Sequence, residues 1–135
     1  MAENLFRRTT FLVPDARAAA KFYVDVFGWK VWYDNELQVE DPKVGMLGLL
    51  QYLAPPFDTA VPTKRSKVRM GEAILVIETK DIDGVHSRAL AAGANVVTPP
   101  VNWKVPSNDG KGWIQLRSMS MFDPNGIYME VKVLM

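Results

Sequence analysis

The stretch Phe11-Leu12-Val13-Pro14-Asp15, followed by Ala16 to Phe27 and then Gly28-Trp29-Lys30-Val31, decides how this chain is read. It begins as an apolar strand, turns at an acidic residue, runs for a helix length, stops at a glycine and resumes as a strand. Asp15 can accept hydrogen bonds from the first free N–H groups of a helix. Ala16-Arg17-Ala18-Ala19-Ala20-Lys21 is rich in strong helix formers, and Ala19, Phe22, Tyr23 and Val26 recur at the spacing of one helix face. Gly28 stands where a left-handed residue would end that helix.

The same order returns in the second half. Leu75-Val76-Ile77 is followed by Lys80-Asp81, a helical stretch from Ile82 to Ala92, Gly93, and Ala94-Asn95-Val96-Val97. Asp81 or Asp83 supplies the cap, and Ile82, Val85, Ala89 and Leu90 supply the apolar face. Strands are expected after each helix: near Trp29–Asp34, Leu37–Val39 and Gly45–Leu53, then near Asn95–Thr98, Trp113–Phe122 and Ile127–Leu134. Asp123-Pro124-Asn125-Gly126 reads as the turn of a hairpin, because Pro fixes φ and Asn-Gly tolerates positive φ. Residues 54–66 and 99–112 read as loops. The second of these carries Trp103 and ends beside Trp113, and is long enough to cover a site.

Composition bounds the function. The 135 residues are 48% hydrophobic and 23% charged, which suits one globular domain with a buried core. No apolar run approaches the roughly 20 residues that span a bilayer, and no basic-then-apolar leader opens the sequence, so a cytoplasmic protein without membrane partners is expected. With no cysteine and a single histidine, His86, the chain can build neither a thiolate site nor a site with several imidazoles. A net charge of +1 makes no case for nucleic acid. The basic residues Lys64, Arg65, Lys67 and Arg69 read as a solvated linker face, and Asp34, Glu36, Glu40 and Asp41 as a solvated hairpin.

Read together, these features resemble the vicinal-oxygen-chelate superfamily, which comprises glyoxalases, bleomycin-resistance proteins and dioxygenases. Val13-Pro14-Asp15 through Phe22-Tyr23-Val24-Asp25-Val26-Phe27-Gly28-Trp29 looks like its opening strand and helix. Phe122-Asp123-Pro124-Asn125-Gly126-Ile127-Tyr128-Met129-Glu130-Val131 looks like its closing hairpin and Glu-bearing strand. The resemblance implies an α+β fold of two βαβββ modules whose curved mixed sheet encloses a shared cavity. One domain over residues 1–135 is expected, with module one at 4–56, a connection at 57–67 and module two at 68–135. The resemblance also implies homodimers.

Metal-dependent members of that superfamily place His or Glu at four strand positions. Carried onto this sequence, those positions fall at Arg8, somewhere in Leu49–Gln51, Ile74 and Glu130. Only Glu130 keeps a ligand type, since Arg cannot offer a lone pair and Ile has no donor atom. No metal and no cofactor are therefore expected. Strand alternation turns Arg8, Thr10 and Leu12, Ile74, Val76 and Glu78, and Tyr128, Glu130 and Lys132 away from the helices. Arg8 is expected to fill the place of a metal and to pair with Glu130; the alternative is that both are solvated strand ends.

The expected function is binding of a small organic molecule, anionic or aromatic, by Arg8, Thr10, Gln51, Ile74, Val76, Glu78, Trp103 and Trp113. It would act by sequestration or by metal-free isomerase or lyase chemistry, with Glu130 as base and Tyr128 as acid or hydrogen-bond donor. The alternatives are a metal-dependent lyase resembling lactoylglutathione lyase, an extradiol-type dioxygenase with non-standard ligands, and a non-catalytic interaction module. His86 reads as a partly exposed helix residue. Trp29 and Trp32 read as packing residues, and Met119 and Met121 as core filler or cavity lining.

Overall fold

A computed structural model describes residues 4, 9–33, 37–41, 45–50, 65 and 67–134. The chain is α+β and falls into two units, Met1–Val61 and Pro62–Met135. The first contains β1 (Thr9–Leu12), α1 (Ala16–Phe27), β2 (Lys30–Tyr33), β3 (Leu37–Asp41) and β4 (Gly45–Leu50). The second contains β5 (Leu75–Glu78), α2 (Ile82–Ala91), β6 (Asn95–Pro106), β7 (Trp113–Phe122) and β8 (Tyr128–Leu134). Each unit has one four-stranded mixed sheet, ordered β1-β4-β3-β2 in the first and β5-β8-β7-β6 in the second. The strand before each helix runs parallel to its neighbour, and the remaining pairs are antiparallel.

The helices begin and end where the sequence requires. Asp15 accepts from the backbone N–H groups of Arg17 and Ala18, both at 3.1 Å, and Gly28 closes α1 at φ 73°. Asp81, not Asp83, caps α2 by accepting from the N–H of Gly84 at 3.0 Å. Gly93 follows α2 at φ 90°, in the region that only glycine enters freely. Along α1, Ala19, Phe22, Tyr23 and Val26 are buried as their spacing predicts. Tyr23, Phe27 and Trp29 stack with ring centroids 5.1–6.2 Å apart, which assigns Trp29 to this packing. On α2 the buried face is Ile82, Val85 and Ala89, whereas Leu90, expected on it, is exposed.

In the second unit the apolar side of the sheet carries Ile77, Met119, Met121, Met129 and Val131, all buried. Each large side chain so buried contributes roughly 1.5–3 kcal/mol of transfer free energy. Met119 and Met121 are thus core residues. In the first unit Leu47 and Leu49, registered opposite Thr9 and Phe11, are the buried positions of β4.

Two expectations need correction. Residues 99–112 are not one loop. The strand β6 continues through Pro99 and Pro100 to Pro106, leaving only 107–112 as the connection to β7. Proline lacks a ladder donor and is tolerated on an edge strand or at a bulge. Here β6 is the edge strand, and its register with β7 shifts between Val96 and Thr98 and again between Thr98 and Val101. The second correction concerns Arg65. It is not part of a solvated linker face: its side chain is only 20% exposed and is bonded to the second unit.

Candidate functional site

Residues paired across neighbouring strands share a face of the sheet. Val76 is registered opposite Glu130, Glu130 opposite Ser120, and Ser120 opposite Thr98. The next row on that face is Glu78, Lys132, Ser118 and Val101. Further along, Leu134 pairs with Leu116 and Leu116 with Trp103. The helix α2 packs on the opposite face. There Arg117, one residue out of phase with these rows, donates to Asp83 of α2 and to Asn102 of β6, each at 3.1 Å. The face away from α2 is open at Val76, Glu78, Glu130 and Trp103 and covered at Ser120 and Phe122.

Much of that open face is apolar yet uncovered. Val76 is 59% exposed, Ile74 44% and Trp103 50%. Glu78 and Glu130 are exposed as well, and Tyr128 and Lys132 half-buried. Glu78 faces Lys132 across the strands, so this carboxylate has a cation in register. The two cross-strand neighbours of Glu130, Val76 and Ser120, carry no charge. An exposed carboxylate between an aliphatic and a hydroxyl side chain can accept a proton or a hydrogen bond from a ligand laid on the sheet.

The structure brings Val76, Glu78, Tyr128, Glu130 and Trp103 onto one face of one sheet, and Ile74 immediately precedes β5 in phase with Val76. It separates Trp113 from them. Trp113 lies in phase with Arg117, Met119 and Met121, on the side of α2, and is 68% exposed at the far end of the β6–β7 pair. Of the two rings expected to bind ligand, strand alternation puts Trp103 and Trp113 on opposite faces, so only Trp103 shares the face of Glu130. Ser118, Ser120 and Lys132 were not singled out as ligand contacts from the sequence. The turn at Asp123–Gly126 carries the signal that finds them, because closing that hairpin sets Phe122 against Tyr128 and fixes each pair behind it.

In the first unit Thr10 is exposed and registered opposite Gly48, and Leu12 opposite Leu50. Arg8 and Gln51 lie outside the described residues, and so does the expected pairing of Arg8 with Glu130. The register places the corresponding position one residue before the expected range Leu49–Gln51. Thr10 precedes the cap Asp15 by the same interval as Val76 precedes the cap Asp81, and Thr10 pairs with Gly48 as Val76 pairs with Glu130. The counterpart of Glu130 is therefore Gly48, which has no side chain, while Leu49 is fully buried on the helix side.

A divalent site wants several deprotonated donors at fixed distances. Ile74 and Gly48 provide none, and Glu130 is a single carboxylate. Among the described residues no group of three or more His, Cys, Asp or Glu could hold a metal ion. Among the described residues the donor set does not fit a metal. His86 is half-buried within α2, away from the open face. Among the described residues no helix is long and apolar enough to cross a membrane.

Comparison with known proteins agrees with this fold. A protein from the mobile metagenome of V. pseudocholerae is 25% identical, with 98% of this chain and 96% of that one covered and a TM-score of 0.62. A glyoxalase/bleomycin resistance protein/dioxygenase family enzyme from Burkholderia phytofirmans is 15% identical over 95% and 97% of the chains, with a TM-score of 0.67. The fosfomycin resistance protein FosX from Mesorhizobium loti is 18% identical over 98% and 93%, with a TM-score of 0.59. No curated protein matches. The family model for the glyoxalase/bleomycin resistance protein/dioxygenase superfamily matches residues 6–131. With that match spanning nearly its whole length, the chain belongs to that superfamily.

Proposed function

We propose that this protein binds a small organic molecule on the open face of the β5-β8-β7-β6 sheet, without a bound divalent metal. The observation that carries the reading is the composition of that face. Exposed Val76 lies directly across from a carboxylate at Glu130, with Ile74 and the phenol of Tyr128 one step to one side and the exposed ring of Trp103 two rows further along the same face. Uncovered apolar area beside a few convergent polar groups suits a ligand with a flat or aliphatic body and one or two polar atoms. In the first unit, Arg8, Thr10 and Gln51 are proposed ligand contacts in their own right, with Arg8 taking an anionic group if the ligand has one. The protein acts by sequestration or by an isomerase or lyase step in which Glu130 accepts a proton and Tyr128 donates a hydrogen bond. A homodimer is the proposed state.

The metal-free part of the reading rests on the donors: Gly48 and Ile74 stand where imidazoles or carboxylates would be needed. The test is to purify the full chain without chelator, measure its metal content, and analyse its organic extract by mass spectrometry. Substoichiometric Fe, Ni, Zn and Mn together with a co-purifying small molecule, lost in Glu130→Gln, is the expected result. One equivalent of metal that Glu130→Gln abolishes would overturn it in favour of a metal-dependent lyase or dioxygenase.

A further inference from the structure

Arg65 belongs to the stretch between the two repeats, yet it makes a dense set of bonds within the second unit. Its Nη1 donates to the carbonyl of Gly126 at 3.0 Å, and its Nη2 to the carbonyl of Lys67 at 3.0 Å and to Glu72 Oε1 at 2.5 Å. Its own carbonyl accepts from Asn95 Nδ2 at 2.7 Å. The guanidinium carbon lies 5.2 Å from the ring centroid of Phe122, within cation–π range. Phe122 in turn lies 5.1 Å from the ring of Tyr128, and these two are the register pair that closes the β7–β8 hairpin. Tyr128 is the neighbour of Glu130 along β8 on the same face.

We propose that Arg65 is a positioning residue of the candidate site. It holds the Phe122 ring and the hairpin turn, and through Phe122 it fixes the ring of Tyr128 beside Glu130. The inference rests on the reading of the open face as the ligand site. A direct role for Arg65 in binding an anion is disfavoured by its own bonds. Its charge is matched by Glu72, and three of its N–H groups are directed at oxygens of the protein. The role also requires arginine in particular. A planar fork can address Gly126, Lys67 and Glu72 while its face covers Phe122, and a lysine ammonium cannot do all of these at once.

The experiment uses the full chain labelled with fluorotyrosine and fluorine NMR. Four tyrosines are present, and Tyr128→Phe assigns the line of interest. In Arg65→Met the Tyr128 line is expected to shift and broaden while the Tyr23 line stays, and Arg65→Lys is expected to restore only part of the native shift. An unmoved Tyr128 line in folded Arg65→Met overturns the proposal. Should Arg65→Met fail to fold, Glu72→Gln loosens the same guanidinium, and a stationary Tyr128 line there overturns it equally. Binding of the aromatic anion anilinonaphthalene sulfonate supplies the second readout. Its dissociation constant is expected to rise about tenfold in Arg65→Met, equivalent to about 1.4 kcal/mol. An unchanged constant in Arg65→Met, with weakened binding in Trp103→Ala, overturns the positioning role. Unchanged binding in both variants, with a moved Tyr128 line, counts against the ligand face and leaves the Arg65–Tyr128 coupling standing.

Discussion

Asp123 is 3% exposed, and a carboxylate so buried must have its oxygens satisfied. It accepts from the N–H of Asn125 at 2.8 Å and of Ile127 at 2.9 Å, and its own backbone N–H and C=O bond to Ile127 and Gly126. Replacing it by alanine leaves those donors unpaired in the tightest turn of the sheet. Asp123→Ala is expected to cost about 2–3 kcal/mol in urea unfolding, and Asp123→Asn, which keeps an acceptor, distinctly less. At Glu72 the bond from Arg65 holds the carboxyl below its ordinary range. The folded state thus favours the ionised form. The contribution is complete above the ordinary Glu range and is lost as pH falls through the lowered value. Fluorotyrosine-labelled protein should therefore keep its Tyr128 line position from neutral pH down to about pH 5, and lose it only in stronger acid.

At the scale of elements, the sequence is most legible where one residue dictates the backbone. Asp15, Gly28 and Gly93 could each be assigned a role from type and spacing alone, the second cap was narrowed to Asp81 or Asp83, and the helices begin and end accordingly. Gly28 at φ 73° gives a clean test: Gly28→Ala should destabilise the chain by about 1–2 kcal/mol through the left-handed backbone alone, because nothing lies within 4 Å of the added methyl group. Gly84 is the contrasting case. A methyl group there would meet the Asp81 carboxylate, at 2.0 Å from Oδ2, so Gly84→Ala must displace the cap of α2 even as it adds a better helix former. The net change in thermal midpoint should be small, and α2 should lose protection from hydrogen exchange at its first turn.

The elements that misled were those in which tertiary context overrides a local signal. Pro99 and Pro100 read as loop residues because proline removes a ladder donor. They sit in β6 because that strand is at the edge of its sheet and is bulged beside them. Arg65 looked like one more solvated basic residue in a charged run, since nothing local announces a partner as distant in sequence as Gly126. Trp103 and Trp113 looked like neighbours across a loop. Their separation onto opposite faces follows only once β6 is known to reach Pro106.

For the whole molecule, each unit has buried residues of its own, which single substitutions can probe. Leu49 in the first and Met129 in the second are both fully buried, and each should cost about 2–5 kcal/mol when cut to alanine. The two losses should show in different sets of slowly exchanging amides. The superfamily itself was legible in the order of two weak repeats and a closing hairpin, since that order is a property of the full length. The chemistry was less legible, because it depends on which face each strand residue takes and on a register that sequence leaves open. Gly48 illustrates this: its equivalence to Glu130 appears only through pairing with Thr10.

The claim that ties these levels together is that ligand binds on the face of Trp103 and Glu130, away from α2. The most direct measurement is fluorescence titration of anilinonaphthalene sulfonate into the folded wild type, Trp103→Ala and Trp113→Ala. The account predicts saturable binding that weakens by about tenfold or more in Trp103→Ala and is unchanged in Trp113→Ala. Loss of binding in Trp113→Ala with native affinity in Trp103→Ala would contradict it.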